Sequence, residues 1–220
     1  MQVYRRVMTA VVAGAMVLAA APAFAQGAAQ AQVNTGLGIG ALGGVTFSKL
    51  SCENSGDCET PESGTGFVLG IWFGGNRDGR VGLMGELSYA TKKVSLTDGV
   101  DTFELNRQYV EIPVLLRVNI GSRNRNKPSF YFLVGPVFDI EVSSKEKNNG
   151  VDADDTPDDF YQGLEIGLMA GAGFEVARIG IEGRYSWALR SLLATDAAEE
   201  NGFGSIKLNT FSIVAKIRFN

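Results

Sequence analysis

Hydrophobic and polar residues alternate with period two in eight segments of this chain, each about ten residues long. In the segment 109–120, every second residue from Val110 to Ile120 is Val, Ile or Leu, whereas Tyr109, Glu111 and Arg117 lie on the other face. Successive side chains of a β-strand point to opposite faces, so this spacing predicts strands with one apolar and one polar face. The eight predicted strands are 37–47, 67–73, 81–89, 109–120, 130–142, 164–176, 179–189 and 211–219.

The connections between these segments alternate in length and charge. The first, third, fifth and seventh are long and acidic, whereas the second, fourth and sixth are short and basic, as in N-R-D-G-R at 76–80 and S-R-N-R-N-K at 122–127. Ten-residue alternating segments with short turns at one end and longer loops at the other are typical of bacterial outer-membrane barrels. The sequence therefore predicts an all-β fold, an eight-stranded antiparallel up-and-down transmembrane β-barrel, with both termini in the periplasm and acidic loops outside.

Aromatic residues cluster at two levels along the predicted strands, as expected for the girdles at the two membrane interfaces. The loop-side level contains Phe47, Tyr89, Tyr185, Trp187 and Phe211. The turn-side level contains Trp72, Phe73, Phe130, Tyr131 and Phe219.

The N-terminus has the features of a secretory signal peptide. Arg5 and Arg6 precede the apolar run 7–21, and Ala23-Phe24-Ala25 is a small-residue cleavage site. We therefore expect three parts: a signal peptide at 1–25, a short periplasmic segment at 26–35 and the barrel domain at 36–220. This organisation places the mature protein in the bacterial outer membrane.

The composition restricts the chemistry. The chain is acidic, with a formal net charge of −4, so it lacks the basic character of nucleic-acid-binding proteins. It contains no His, so neither a Ser-His-Asp nor a Cys-His arrangement is available, and we expect no enzymatic activity and no cofactor. Its two cysteines, Cys52 and Cys58, lie in C-E-N-S-G-D-C, and export to an oxidising compartment predicts a disulfide between them.

Charged residues on the polar faces form the predicted lumen charge network, because eight strands leave an interior just wide enough for side chains. The network comprises Glu86, Glu111, Arg117, Asp139, Glu141, Glu165, Glu175, Glu182, Arg184, Lys216 and Arg218. Its periplasmic half contains both signs and predicts a salt-bridged plug, whereas an ion-conducting lumen is the alternative. Glu111, Asp139, Glu141 and Glu165 have no evident basic partner, so we expect them to hold water or a cation.

Several stretches resemble the porin-family, PorT-like outer-membrane barrel domain from about residue 35 to the end. They are Y-V-E-I-P-V-L-L-R at 109–117, F-Y-F-L-V-G-P at 130–136, and G-L-E-I-G-L-M-A-G-A-G-F-E at 163–175 followed by I-E-G-R-Y-S-W. The resemblance implies an eight-stranded outer-membrane barrel. The last strand also resembles the assembly signal read by the barrel-assembly machinery, an alternating strand with a terminal aromatic residue. Its residues are Phe211, Ile213, Ala215, Ile217 and Phe219.

The acidic loops provide the remaining candidate site. Asp154, Asp155, Asp158 and Asp159 form a weak candidate cation site, although the loop lacks the EF-hand spacing of ligands. We predict a monomeric structural or surface-interaction barrel in outer-membrane lipid, whose loops bind an extracellular partner or divalent cations. A narrow porin-like channel and a soluble ligand-binding eight-stranded barrel are the alternatives.

Overall fold

The computed structural model describes residues 38–52, 61–75, 79–98, 101–122, 124, 126–148, 151–152, 163–189 and 206–219. Nine strands lie in these ranges: β1 (Ile39–Cys52), β2 (Pro61–Gly74), β3 (Val81–Asp98), β4 (Asp101–Gly121), β5 (Ser129–Asn148), β6 (Val151–Asp152), β7 (Leu164–Val176), β8 (Ile179–Ala188) and β9 (Ile206–Arg218). Eight of them are long, whereas β6 has two residues and pairs with the last two residues of β5. No helix in the described ranges is long and apolar enough to span a membrane.

Antiparallel pairing closes the eight long strands into a barrel. Each long strand pairs with the long strands before and after it in the chain, so that β5 pairs with β7, and β1 pairs with β9 to close the ring. Full closure leaves no sheet edge within the barrel wall, which a β-structure in a bilayer requires. The turn side is the end with the β2–β3, β4–β5 and β7–β8 connections, and the loop side is the other end. The predicted eight-stranded antiparallel fold is confirmed.

The barrel wall has its apolar side chains outside. Leu69 and Phe130 on the outer face are 57% and 60% exposed, whereas Met84 and Leu115 on the inner face are completely buried. The alternating faces inferred from the sequence therefore hold, with Val, Ile, Leu and Phe facing outward and most charged residues facing inward. A soluble barrel would need the opposite arrangement, so that alternative is wrong.

Three adjacent strands are much longer than the sequence pattern predicts. β3, β4 and β5 contain 18, 21 and 20 residues, whereas the remaining long strands contain 10 to 14. The predicted third connection, with Asp98, Asp101 and Glu104, is for the most part a continuation of the β3–β4 hairpin. At about 3.3 Å per residue and a tilt of about 40°, twenty residues rise about 50 Å, which exceeds the apolar band of about 25 Å. This three-stranded sheet therefore projects beyond the other strands on the loop side.

Outer-face aromatic residues pack in pairs, across neighbouring strands or within one strand, in agreement with the girdle prediction. Phe47 stacks on Phe211 with ring centroids 6.3 Å apart, and Tyr185 packs against Trp187 at 4.6 Å on the same loop side. On the turn side, Phe130 and Phe174 are 5.1 Å apart.

Two residues assigned to the turn-side girdle are elsewhere. Trp72 and Tyr131 are buried in the lumen, with exposures of 4% and 1%. Their positions along the strands are near the membrane interface, which is why the sequence suggested a girdle. Successive side chains alternate between the two faces of a strand, however, and each of these two residues is adjacent to an outward-facing residue, so its own side chain points into the lumen. The girdle assignment is therefore wrong for these two.

Candidate functional site: the filled lumen

Four charged side chains form the centre of the turn-side half of the lumen. The Glu86 carboxylate on β3 accepts hydrogen bonds from both Nη atoms of Arg184 on β8, each at 2.7 Å. Lys216 Nζ on β9 lies 2.9 Å from Glu86 and 3.0 Å from Glu182. Arg184 Nε also donates to Glu182 at 2.6 Å. Because every one of these buried charges has partners of opposite sign, the desolvation cost of each is offset within the cluster.

Further pairs surround this centre. Arg117 and Glu175 form an ion pair of 2.8 Å, and the Arg117 guanidinium lies 3.7 Å from the centre of the Tyr131 ring. Arg218 lies 5.1 Å from the Trp72 ring. We call the whole group the turn-side cluster; it consists of Glu86, Arg117, Glu175, Glu182, Arg184, Lys216 and Arg218.

A glycine makes room for each of the two aromatic side chains of the turn-side lumen, Tyr131 and Trp72. Tyr131 on β5 pairs with Gly173 on β7, which pairs with Glu182 on β8. A Cβ at Gly173 would lie 2.3 Å from the Tyr131 ring, so the ring lies across the glycine and its hydroxyl donates to Glu182 at 2.6 Å. Trp72 lies across Gly40 in the same way. Some of the glycines in the strands are therefore positions where an aromatic ring lies directly against the backbone of the neighbouring strand.

A second group of charges lies nearer the loop side. Lys92 Nζ on β3 is 2.9 Å from Glu111 and 2.6 Å from Asp139. All three side chains are largely buried.

Arg107 on β4 is the basic partner of the other two loop-side carboxylates, Glu141 and Glu165. It forms ion pairs with Glu141 and, at 2.9 Å, with Glu165. The Tyr109 hydroxyl donates to Glu165 at 2.6 Å. The loop-side cluster is therefore Lys92, Arg107, Tyr109, Glu111, Asp139, Glu141 and Glu165.

Lys92 and Arg107 are the partners that sequence reasoning missed. The expectation that the four loop-side carboxylates have no basic partner is wrong, because both cations lie beyond the predicted strand ends at 89 and 109. Counting the two-residue period of the strands three residues further on β3 and two on β4 places both side chains on the inner face, although the outer face there is no longer apolar.

Apolar side chains separate the two clusters. Val137 precedes Asp139 on β5, and Met169 lies between Glu165 and Glu175 on β7, all on the inner face. The layer contains Leu42, Val68, Ala90, Leu115, Leu133, Val137, Met169 and Val214. A second apolar group closes the loop-side end; it contains Leu50, Val94, Leu105, Tyr109 and Leu208, with Ile206 against it. Along its axis the lumen therefore alternates between charged and apolar layers.

Of the remaining positions predicted from the sequence, the structure describes those of the last strand but not the cysteine side chains or the acidic loop residues. Phe211, Ile213, Ala215, Ile217 and Phe219 are all exposed on the outer face of the β9 segment. Cys52 ends β1, but its side chain lies outside the described part, as do Cys58, Asp154, Asp155, Asp158, Asp159 and the predicted signal peptide. Within the described residues, no group of three or more acidic or Cys side chains has the geometry to hold a metal ion.

A closed eight-stranded antiparallel barrel with an apolar outer wall and a charged, filled interior defines the class of an outer-membrane β-barrel protein. The model of the outer membrane protein beta-barrel domain family matches residues 24–194, and the chain belongs to that family. It is a small protein of the bacterial outer membrane, surrounded by lipid.

The chain is similar to several solved structures, three of which follow. The attachment invasion locus protein Ail of Yersinia pestis is 17% identical over 83% of this chain and 98% of that chain, with a TM-score of 0.43. Neisserial surface protein A is 13% identical over 84% and 99%, with a TM-score of 0.45. OprG from Pseudomonas aeruginosa is 13% identical over 84% and 97%, with a TM-score of 0.36. No curated protein sequence is significantly similar to the chain.

Proposed function

We propose that this protein is a non-catalytic, monomeric surface-interaction barrel with a closed lumen, which acts through its loop-side surface outside the cell. The observation that carries the proposal is the turn-side cluster, whose ion pairs cross the lumen. In the closed ring, β3 and β8 are four strands apart in either direction. The bidentate pair between Glu86 and Arg184 therefore spans the full diameter of the barrel.

The part of the β3–β5 sheet that projects on the loop side is the surface available to a partner. On the outer face of β3 and β4, apolar Tyr89 and Val110 give way to Lys93, Glu104 and Gln108 toward the loop side. This change marks the upper limit of the lipid-facing band, because charged side chains are disfavoured within it. The strands continue above that limit, so they present a hydrogen-bonded surface, held from inside by Lys92 and Arg107, rather than a mobile loop alone.

The proposal also covers export, membrane assembly and the loops. The signal peptide at 1–25 is removed, the termini are periplasmic, and the barrel-assembly machinery recognises the last strand through Phe219. A Cys52–Cys58 disulfide keeps the first loop compact. Asp154, Asp155, Asp158 and Asp159 attract divalent cations or an extracellular partner, since carboxylate oxygens suit hard cations.

Planar-bilayer recording tests the closed lumen. Purified, refolded protein is expected to give no reproducible conductance steps at neutral pH, with an unrelated porin in the same bilayer as positive control. Stable steps of uniform size from the wild-type protein would overturn the closed-lumen half of the proposal in favour of a narrow channel.

Thiol labelling in intact cells tests the orientation. In a background with Cys52→Ser and Cys58→Ser, we would compare Glu104→Cys on the loop side with Arg80→Cys on the turn side. Both positions are exposed. A membrane-impermeant maleimide is expected to label only the Glu104→Cys protein in intact cells and both proteins after lysis. Labelling of the Arg80→Cys protein alone in intact cells would reverse the orientation.

A further inference from the structure

The turn-side mouth of the lumen contains a small cavity with an excess of cationic side chains. Its volume is about 10 Å³, room for about one water-sized atom. The residues that matter for its chemistry are Trp72, Arg117, Glu175, Arg178, Lys216 and Arg218.

The carboxylates around this cavity already have partners. Glu175 forms an ion pair with Arg117 at 2.8 Å. Lys216 reaches Glu86 and Glu182, which also bind Arg184. Together with Arg178 and Arg218, the described side chains of the cavity and the adjoining cluster provide five cations and three carboxylates. Counted over these described side chains, the mouth therefore carries a net positive charge.

Arg178 contributes to the cavity from the β7–β8 turn. Its side chain is exposed and makes no ion pair with any residue that the structure describes. The backbone of the turn is fixed, because Arg218 N donates to the Arg178 carbonyl at 2.8 Å. Ala177 has a φ of 54°, in the left-handed region that favours glycine.

A buried donor in the cavity wall lacks an acceptor. The indole of Trp72 is 4% exposed, and no acceptor for its Nε1–H lies in the described part of the protein. Lys216 and Arg218 lie 4.9 and 5.1 Å from the same ring. An oxygen atom with negative charge would interact favourably with these cations and supply the kind of acceptor that the indole lacks.

We propose that this mouth binds one anionic oxygen of a phosphate-type group, the rest of which remains outside the barrel. The size of the cavity admits an oxygen but not a whole phosphate. Arg178 at the rim would bind a second oxygen of the same group, since a guanidinium suits phosphate geometry. The phosphate belongs either to a phospholipid head group of the adjoining leaflet or to a soluble phosphate compound. The inference concerns the turn side and does not depend on the function proposed for the loop side.

The two tryptophans of the chain make a direct test possible. Trp187 lies on the outer face, so a Trp187→Phe protein reports through Trp72 alone. In zwitterionic detergent at constant ionic strength, replacing chloride by inorganic phosphate is expected to change the Trp72 fluorescence in a saturable manner. A linear change or none would overturn the proposal.

Arg178→Gln and Arg80→Gln are a matched pair of variants in this background. Both arginines are exposed turn-side residues whose backbone carbonyl accepts a hydrogen bond, from Arg218 N at 2.8 Å and from Asn119 N at 2.7 Å. Only Arg178 lines the cavity. Phosphate affinity is expected to fall about tenfold in Arg178→Gln and less than twofold in Arg80→Gln. Equal losses would mean general attraction to a basic surface and would refute a specific site.

Lipid nanodiscs distinguish the two sources of phosphate. If the natural occupant is a lipid head group, phosphatidylglycerol nanodiscs should abolish the response to added phosphate that phosphatidylcholine nanodiscs retain. If the response is the same in both lipids, the site takes a soluble phosphate compound. Loss of the response in both lipids would contradict the proposal.

Discussion

The two charged clusters of the lumen use the same chemistry but connect different parts of the barrel. The turn-side cluster joins β3 to β8 and β9 across the lumen through Glu86, Arg184 and Lys216. The loop-side cluster joins only β3, β4, β5 and β7, which are neighbours in the ring. The first therefore braces the barrel across its diameter, and the second attaches the projecting β3–β5 sheet to the wall beside it.

Their charge balance differs as well. At the centre of the turn-side cluster, two cations face two carboxylates, whereas Lys92 and Arg107 face four carboxylates. Neutralising one carboxylate should therefore cost more stability on the turn side than on the loop side. On the turn side it leaves a buried cation undercompensated, and on the loop side it also relieves repulsion among carboxylates.

Matched glutamate substitutions should show the largest difference. Glu86→Gln removes the carboxylate shared by Arg184 and Lys216, and we expect the free energy of unfolding to fall by about 3–5 kcal/mol. Glu111→Gln leaves Lys92 paired with Asp139, and we expect a loss of about 1 kcal/mol. Urea titration of the refolded proteins in lipid vesicles measures both. Similar losses would show that the two clusters brace the barrel equally.

Arginine substitutions on β7 test whether the clusters lie behind a lipid-facing wall. Leu168 is an outward-facing residue within the strand, and Leu168→Arg should cost about 2–4 kcal/mol in vesicles. Leu164, on the same face at the loop-side end, is the control, and Leu164→Arg should cost about 0–1 kcal/mol. A cost independent of position would contradict the assigned depth of the wall.

The sequence predicted the turn-side cluster much better than the loop-side cluster, for a physical reason. Glu182, Arg184 and Lys216 lie within strands whose outer residues are strongly apolar, so alternation identifies their faces. Lys92 and Arg107 lie where the outer face is already polar, and there the alternation that identifies a membrane strand disappears although the strand continues.

Contacts across the barrel were beyond the reach of alternation altogether. The pattern places Glu86 and Arg184 on inner faces, but only the strand register brings these two within 2.7 Å of each other. The same holds for Tyr131, whose position over Gly173 follows from pairing between β5 and β7.

Two buried tyrosines allow the comparison to be sharpened with identical chemistry. Tyr131 donates to Glu182 and Tyr109 donates to Glu165, both at 2.6 Å. Tyr131→Phe should lower the free energy of unfolding of the whole barrel by about 1.5–3 kcal/mol, as for other hydrogen bonds to charged groups. Tyr109→Phe should act locally, with amide exchange on the loop-side half of β4 about tenfold faster and a smaller change in the urea midpoint. The reverse pattern would place the structural brace on the loop side.

The smallest effect is expected at the β7–β8 turn, which closes the better-braced end. Ala177 has a φ of 54°, which costs an alanine about 1 kcal/mol and a glycine almost nothing. Glycine also increases the freedom of the unfolded chain, so Ala177→Gly should stabilise the barrel by less than about 1 kcal/mol. Ala177→Val is the contrasting control, because a β-branched residue is poorly tolerated in this region, and it should destabilise by more than Ala177→Gly stabilises. Urea midpoints in vesicles that fall equally for both variants would show that the turn is not held in the left-handed conformation.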